Sequence, residues 1–177
     1  GAPGQGVGAL ADGGKRRSRG FGAAGDRIGR ALELADHRAQ FEFEQFEAWR
    51  KGTNWNLSKK DETWITQEYE EYYGRSDYAK SQVGGYYAAR LACSESLLKM
   101  RKQAKAIVFR EIGEGYSVPL GVWQVRENVK NAFRQPPSIF GSLEDALGFL
   151  KTKLTNPVEE YKKKSQIIGQ KRLVNWI

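Results

Sequence analysis

Apolar positions recur every three or four residues through the middle of the chain: Tyr86, Ala89, Cys93, Leu97, Met100 and Ala104. That spacing predicts a helix with one buried side, opened by Gly84-Gly85. Lys99, Arg101, Lys102 and Lys105 fall in its last turns, where cations offset the negative end of the helix dipole. The period then changes. Residues 106–112, Ala-Ile-Val-Phe-Arg-Glu-Ile, have the β-branched and aromatic content of a mostly buried strand. A turn-rich connection over 113–119 leads to a second helix from about Gly121, with Val122, Val125, Val129 and Phe133 along one side. A strand held between helices predicts a small sheet packed by helices, of the α+β or α/β class.

Phe41, Phe43 and Phe46 stand among Glu42, Glu44 and Glu47, an alternation that predicts an edge or half-buried strand whose register breaks at Gln45. Trp49 and Trp55 flank a turn at Gly52, and Ser58 three residues ahead of Asp61 hints at a helix cap. Trp64, Tyr69, Tyr72 and Tyr73 supply packing surface before Gly74 and Ser76-Asp77 break the segment. Past the second helix, Gln135-Pro-Pro-Ser138 is a stop. Ser142 with Asp145 caps a helix striped by Leu143, Leu147, Leu150 and Leu154. Asn156-Pro157 starts a last helix with a weak apolar face (Val158, Tyr161, Ile168) and Lys162, Lys163 and Lys164 turned to water. Gly169 ends it and frees a tail over 170–177.

The N-terminal stretch reads differently. Residues 1–29 hold ten of the twenty glycines and a basic cluster at Lys15-Arg16-Arg17-Ser18-Arg19, too little apolar surface to offset ordering entropy. Residues 1–40 are therefore expected to be a disordered Gly/Arg-rich arm, with a short helix over 26–40 through Ile28, Leu32 and Ala35. The globular domain is expected over 41–155, and the C-terminal helix and tail over 156–177.

Charge and cysteine count narrow the classes. The net charge of +8 divides as +3 over residues 1–40, −3 over 41–98 and +8 over 99–177. A basic half suits an acidic partner, nucleic acid being the commonest, although a soluble lysine-rich surface gives the same count. One cysteine excludes an intramolecular disulfide, and with one histidine it excludes a structural zinc finger built from this chain. No metal and no cofactor is expected. No apolar run reaches membrane-spanning length and no secretory signal opens the chain, so no membrane is expected and a cytoplasmic protein is.

Gly84-Gly-Tyr-Tyr-Ala-Ala-Arg90, Arg110-Glu111-Ile112 and Pro119-Leu-Gly-Val-Trp-Gln-Val-Arg-Glu127 resemble the C-terminal domain of the archaeal Nre proteins. Residues 41–56 (FEFEQFEAWRKGTNWN) and 69–78 (YEEYYGRSDY) resemble the approach to that block. The likeness covers roughly 41–177. It implies a role in DNA repair inside an archaeal cell, close to the chromosome. It also implies a two-part molecule whose cysteine-rich first part has no counterpart here, and a final peptide that binds the sliding clamp (PCNA-like).

The tail, Gln170-Lys-Arg-Leu173-Val-Asn-Trp176-Ile177, is similar to that clamp-binding motif. In one helical turn Leu173, Trp176 and Ile177 converge into a three-pronged apolar plug, while the Gln170 amide can donate and accept hydrogen bonds. Burying each prong is worth roughly 1.5–3 kcal/mol, enough for a contact of about −8 kcal/mol after ordering costs. The motif commonly ends in two aromatics, and here the last prong is Ile177. The competing reading is a tail whose Trp176 packs on its own domain.

The core block holds polar groups without a recognisable catalytic set. Arg90, Arg110 and Arg126, with Trp123 as a stacking face, are candidates for nucleic-acid or phosphate contact. The same arginines could instead pair internally with carboxylates. Arg110, Glu111, Arg126 and Glu127 together outline an alternative, a metal-dependent nucleic-acid-processing enzyme with Glu111 and Glu127 as paired carboxylates. Cys93 lacks a histidine partner and sits in an apolar setting, which argues against a nucleophile. Whether the domain is catalytic is left open by the residues themselves.

Overall fold

The computed structural model describes residues 7–12, 26–34, 40–53, 55–56, 62–113, 116 and 120–169. Among these residues six strands form one mixed sheet: β1 (Val7–Asp12), β2 (Asp26–Leu34), β3 (Glu42–Trp49), β4 (Trp64–Glu70), β5 (Lys105–Ile112) and β6 (Pro137–Phe140). Their order is β4-β3-β5-β2-β1-β6. Only β3 and β5 run parallel, in register from Glu42 opposite Lys105 to Trp49 opposite Ile112; every other pair is antiparallel. The helices are α1 (Val83–Met100), α2 (Val122–Phe133), α3 (Leu143–Lys151), α4 (Val158–Lys164) and α5 (Gln166–Gly169). The architecture is α+β, a mixed sheet covered by helices.

Side chains leave alternate faces of β3 and β5, and this alternation sorts the core into two halves. On one face Phe43, Ala106 and Val108 pack under α1 and α2, meeting Tyr86, Ala89, Cys93, Val125 and Val129. On the other, Phe46, Ile107 and Phe109 pack under α3, α4 and α5, meeting Leu147, Leu150, Val158, Tyr161 and Ile167. The rings of Phe46 and Phe109 stack at 5.4 Å, and Tyr161 meets both edge-on at 5.3 Å. Phe43, Phe46 and Phe109 are fully buried, each burial being worth roughly 1.5–3 kcal/mol.

Several elements differ from the pattern-based expectation, each for a physical reason. The Phe/Glu alternation of β3 predicts a half-exposed strand, yet β3 lies inside the sheet, between β4 and β5. Glu44, Gln45 and Glu47 are buried along with the phenylalanines, and the pairing passes through Gln45 without a shift. Residues 64–70, downstream of the suspected helix cap at Ser58, form strand β4; Ser58 itself lies outside the described residues. Backbone 26–34, expected as a short helix, pairs as β2 with β5, and 7–12 pairs as β1, both inside the segment expected to be an unstructured arm. Ile28 and Leu32 are four apart, a spacing that periods of 2.0 and 3.6 both satisfy. The open edge of β5 then favours a strand, because its backbone N–H and C=O groups need partners. The last helix is two helices: Ser165 adopts an extended backbone between α4 and α5. Val158, Tyr161 and Ile167 bring this segment into the same core as residues 41–155.

Other elements follow the pattern closely. α1 buries Tyr86, Ala89, Cys93 and Leu97 and ends at Arg101, whose φ of 54° turns the chain back toward β5. Ser142 caps α3, its Oγ accepting from the Asp145 N–H at 3.1 Å.

Candidate functional site

Charged side chains gather around the parallel pair β3 and β5. Arg110 follows Phe109 on β5 and therefore faces α1. Its Nη1 donates to Glu47 Oε1 of the neighbouring strand at 2.8 Å, and both side chains are about 5% exposed. The guanidinium also lies 5.7 Å from the ring centres of Trp49 and Tyr116. Gln45 Nε2 donates to Glu47 Oε1 at 3.1 Å. Gln82, just before α1, donates to the Gln45 carbonyl at 2.9 Å and reaches Thr66 on β4. Gly84-Gly85 belongs to this arrangement. A Cβ at Gly85 would stand 3.1 Å from Glu47 Oε1, and one at Gly84 would stand 3.0 Å from Val122 Cγ1. The glycines let α1 approach both the buried carboxylate and α2, a role distinct from an anion cradle.

The opposite face holds two carboxylates with neutral partners. Glu111 accepts from Thr155 N–H at 2.8 Å, Asn156 N–H at 2.9 Å, Asn156 Nδ2 at 2.8 Å and the Tyr161 hydroxyl at 2.8 Å. Glu44 accepts from Ser165 Oγ, from Gln166 N–H at 2.7 Å and from Gln67 Nε2 at 2.7 Å. Burial first, and then the adjacent Glu111, push the Tyr161 hydroxyl well above its ordinary pKa, so it stays a proton donor.

The candidate arginines are separated by this geometry. Arg90 on α1 pairs with Glu70 of β4 and lies 5.7 Å from the centre of the Phe41 ring. Arg110 pairs with Glu47 in the interior. Arg126 on α2 pairs with Glu95 of α1 at 2.7 Å, and Lys130 joins the same carboxylate at 2.8 Å. These two cations hold Glu95 below the ordinary carboxylate range, the Lys130 hydrogen bond contributing most. Each candidate arginine thus has its own carboxylate. Arg110 and Glu111 point to opposite faces of the sheet, as adjacent strand residues must. Glu127 is half-exposed on α2, on the side away from Glu111, with Lys130 Nζ 3.8 Å away. Arg110, Glu111, Arg126 and Glu127 therefore do not converge on one cleft. Among the described residues no group of three or more His, Cys, Asp or Glu is arranged to hold a metal ion. Trp123 is 54% exposed in the first turn of α2, and it has no hydrogen bond or ring contact with these ion pairs among the described residues. Cys93 is fully buried, and burial raises its thiol pKa well above the ordinary value. Gln170, Leu173, Trp176 and Ile177 lie outside the described residues.

Sequence reasoning missed Glu44, Glu47, Gln82, Glu70 and Glu95 as partners. The signal available for Glu44 and Glu47 was their place in a phenylalanine-rich strand next to a strand bearing arginine.

Residues 70–175 match the archaeal Nre C-terminal family. This chain belongs to the archaeal Nre family. DNA repair protein NreB of Archaeoglobus fulgidus is 39% identical over 131 residues, covering 73% of this chain and 32% of the relative. DNA repair protein NreA of the same organism is 37% identical over 122 residues, covering 69% and 30%. DNA repair protein NreA of Haloferax volcanii is 34% identical over 122 residues, covering 69% and 28%. The aligned part of this Nre chain spans about a third of the length of these relatives. No solved structure matches it. No described helix is long and apolar enough to cross a membrane.

Proposed function

We propose that this chain serves in DNA repair as an accessory factor, brought to DNA by the tail 170–177 seated on a sliding clamp (PCNA-like). The observation that carries the reading is the family match together with relatives named DNA repair proteins. The tail supports the clamp part. Its glutamine, aliphatic and two bulky positions begin at Gln170, one residue after α5 ends, so the motif takes nothing from the described core. The arrangement of the arginines favours a non-catalytic factor over the metal-dependent enzyme, because the four residues of that alternative site serve different parts of the fold.

The test is a calorimetric titration of an archaeal sliding clamp with the full chain. Binding near micromolar is expected, with a loss of tenfold or more in Leu173→Ala/Trp176→Ala, since each prong contributes roughly 1.5–3 kcal/mol. An affinity unchanged by the double substitution would remove clamp recruitment from the account.

A further inference from the structure

α1 and α4, on opposite faces, share a polarity that brings exposed cations to one end of the sheet. α1 begins where Gly85 meets Glu47, near the end of β3, and leads back to Lys105, which opens β5 opposite Glu42. α4, on the other face, begins beside Glu111 near the end of β5 and finishes at Ser165, bonded to Glu44 near the start of β3. Both helix C-termini thus point toward the end at which β3 and β5 begin. The C-terminal residues are basic: Lys99 and Arg101 on one side of the sheet, Lys162 and Lys164 on the other. All four are exposed, and none forms a close ion pair among the described residues, although Lys162 acts electrostatically on Glu159 one turn earlier in α4. Their neighbours differ in this respect, Lys163 being paired with Glu160 and Lys105 with Glu42. At the opposite end Lys151 is tied to Glu159 and Lys153 lies over the Phe149 ring.

We infer that this basic end is a docking surface for the phosphate backbone of duplex DNA. A helix C-terminus presents carbonyl oxygens, not N–H groups, so it cannot cradle a single anion; its lysines reach outward as mobile point charges. The two cation pairs stand on either side of a sheet flanked by helices about 10 Å across, a separation on the order of 20 Å. A small anion cannot span that distance. A duplex can, carrying one negative charge for about every 1.7 Å of axis. The last described residue, Gly169, closes the short helix that begins at the Gln166 contact with Glu44, on this same side. The inference rests on the DNA reading above and fails independently of the clamp.

The experiment compares two charge-matched triples of the full chain by fluorescence anisotropy on a duplex of about 20 base pairs over a salt series. Lys99→Gln/Lys162→Gln/Lys164→Gln is expected to flatten the slope of log K against log salt by about 2–3 and to weaken binding about 10- to 100-fold near 0.1 M salt. Arg50→Gln/Lys151→Gln/Lys153→Gln, at the other end, is expected to change the slope by less than about 1. Equal effects of the two triples would reduce the surface to bulk charge and overturn the inference. Absence of duplex binding by the unaltered chain overturns it too, as does preferential binding to phosphatidylserine vesicles in competition with duplex. Leu173→Ala/Trp176→Ala is expected to leave the salt slope intact, so loss of clamp binding and loss of DNA binding are read separately.

Discussion

The two faces of the sheet bury carboxylates by different means. Under α1, Glu47 is matched by the guanidinium of Arg110, with Gln45 filling in beside it. Under α4 and α5, Glu44 and Glu111 are matched by backbone N–H groups, two side-chain amides and two hydroxyls. The first arrangement joins two adjacent strands. The second joins strands to helices over 44 to 123 positions further along the chain. An ion pair inside a protein repays the desolvation of its charges only while both members are present. A carboxylate met by several neutral donors loses one bond at a time. One face should therefore fail abruptly and the other by degrees.

Four measurements rank that contrast. Arg110→Met, which removes the buried Nη1–Oε1 ion pair with Glu47, is expected to cost about 3–5 kcal/mol in urea unfolding. Adding Glu47→Gln should recover much of it; a double variant as unstable as the single would show that lost packing, not lost pairing, dominates. Glu44→Ala is expected to cost about 1–3 kcal/mol and to raise hydrogen exchange at Gln166 and Ile167 while sparing α1. Uniform exchange across the molecule would mean that α5 is not a separately anchored unit. Tyr161→Phe removes one of the four donors to Glu111 and is expected to cost about 1 kcal/mol; a loss above about 3 kcal/mol would contradict gradual failure. The smallest effect concerns Glu95. Its folded-state pKa is depressed by Lys130 and Arg126, so its contribution is full above the ordinary carboxylate range and ebbs as pH falls through the depressed value. Glu95→Gln should flatten the acid side of the stability profile slightly, measured by thermal melts from pH 3 to 7.

Legibility in the sequence followed the range of the interactions. α1, β5 and α3 are set by neighbours within a few residues, and their stripes and the Ser142 cap are visible in a short window. β3 was not. Its glutamates look solvent-facing because the groups that satisfy them, Arg110 and Ser165, stand 63 and 121 positions away. For the same reason Arg90, Arg110 and Arg126 read as a cluster when each serves a different carboxylate. The break at Ser165 was equally hidden, since Glu44 draws its hydroxyl inward and ends α4 early. At 26–34 the residue spacing permitted either regular form, and pairing with β5 decided between them.

The buried thiol under α1 has a practical consequence. The chain contains one cysteine, and that sulfur is sealed from solvent and resists ionisation. The native protein should be inert to maleimide dyes and nitroxide spin labels without any removal of Cys93. A cysteine introduced at an exposed position then becomes the single reactive handle, and distances from it can be measured spectroscopically on an otherwise unaltered background.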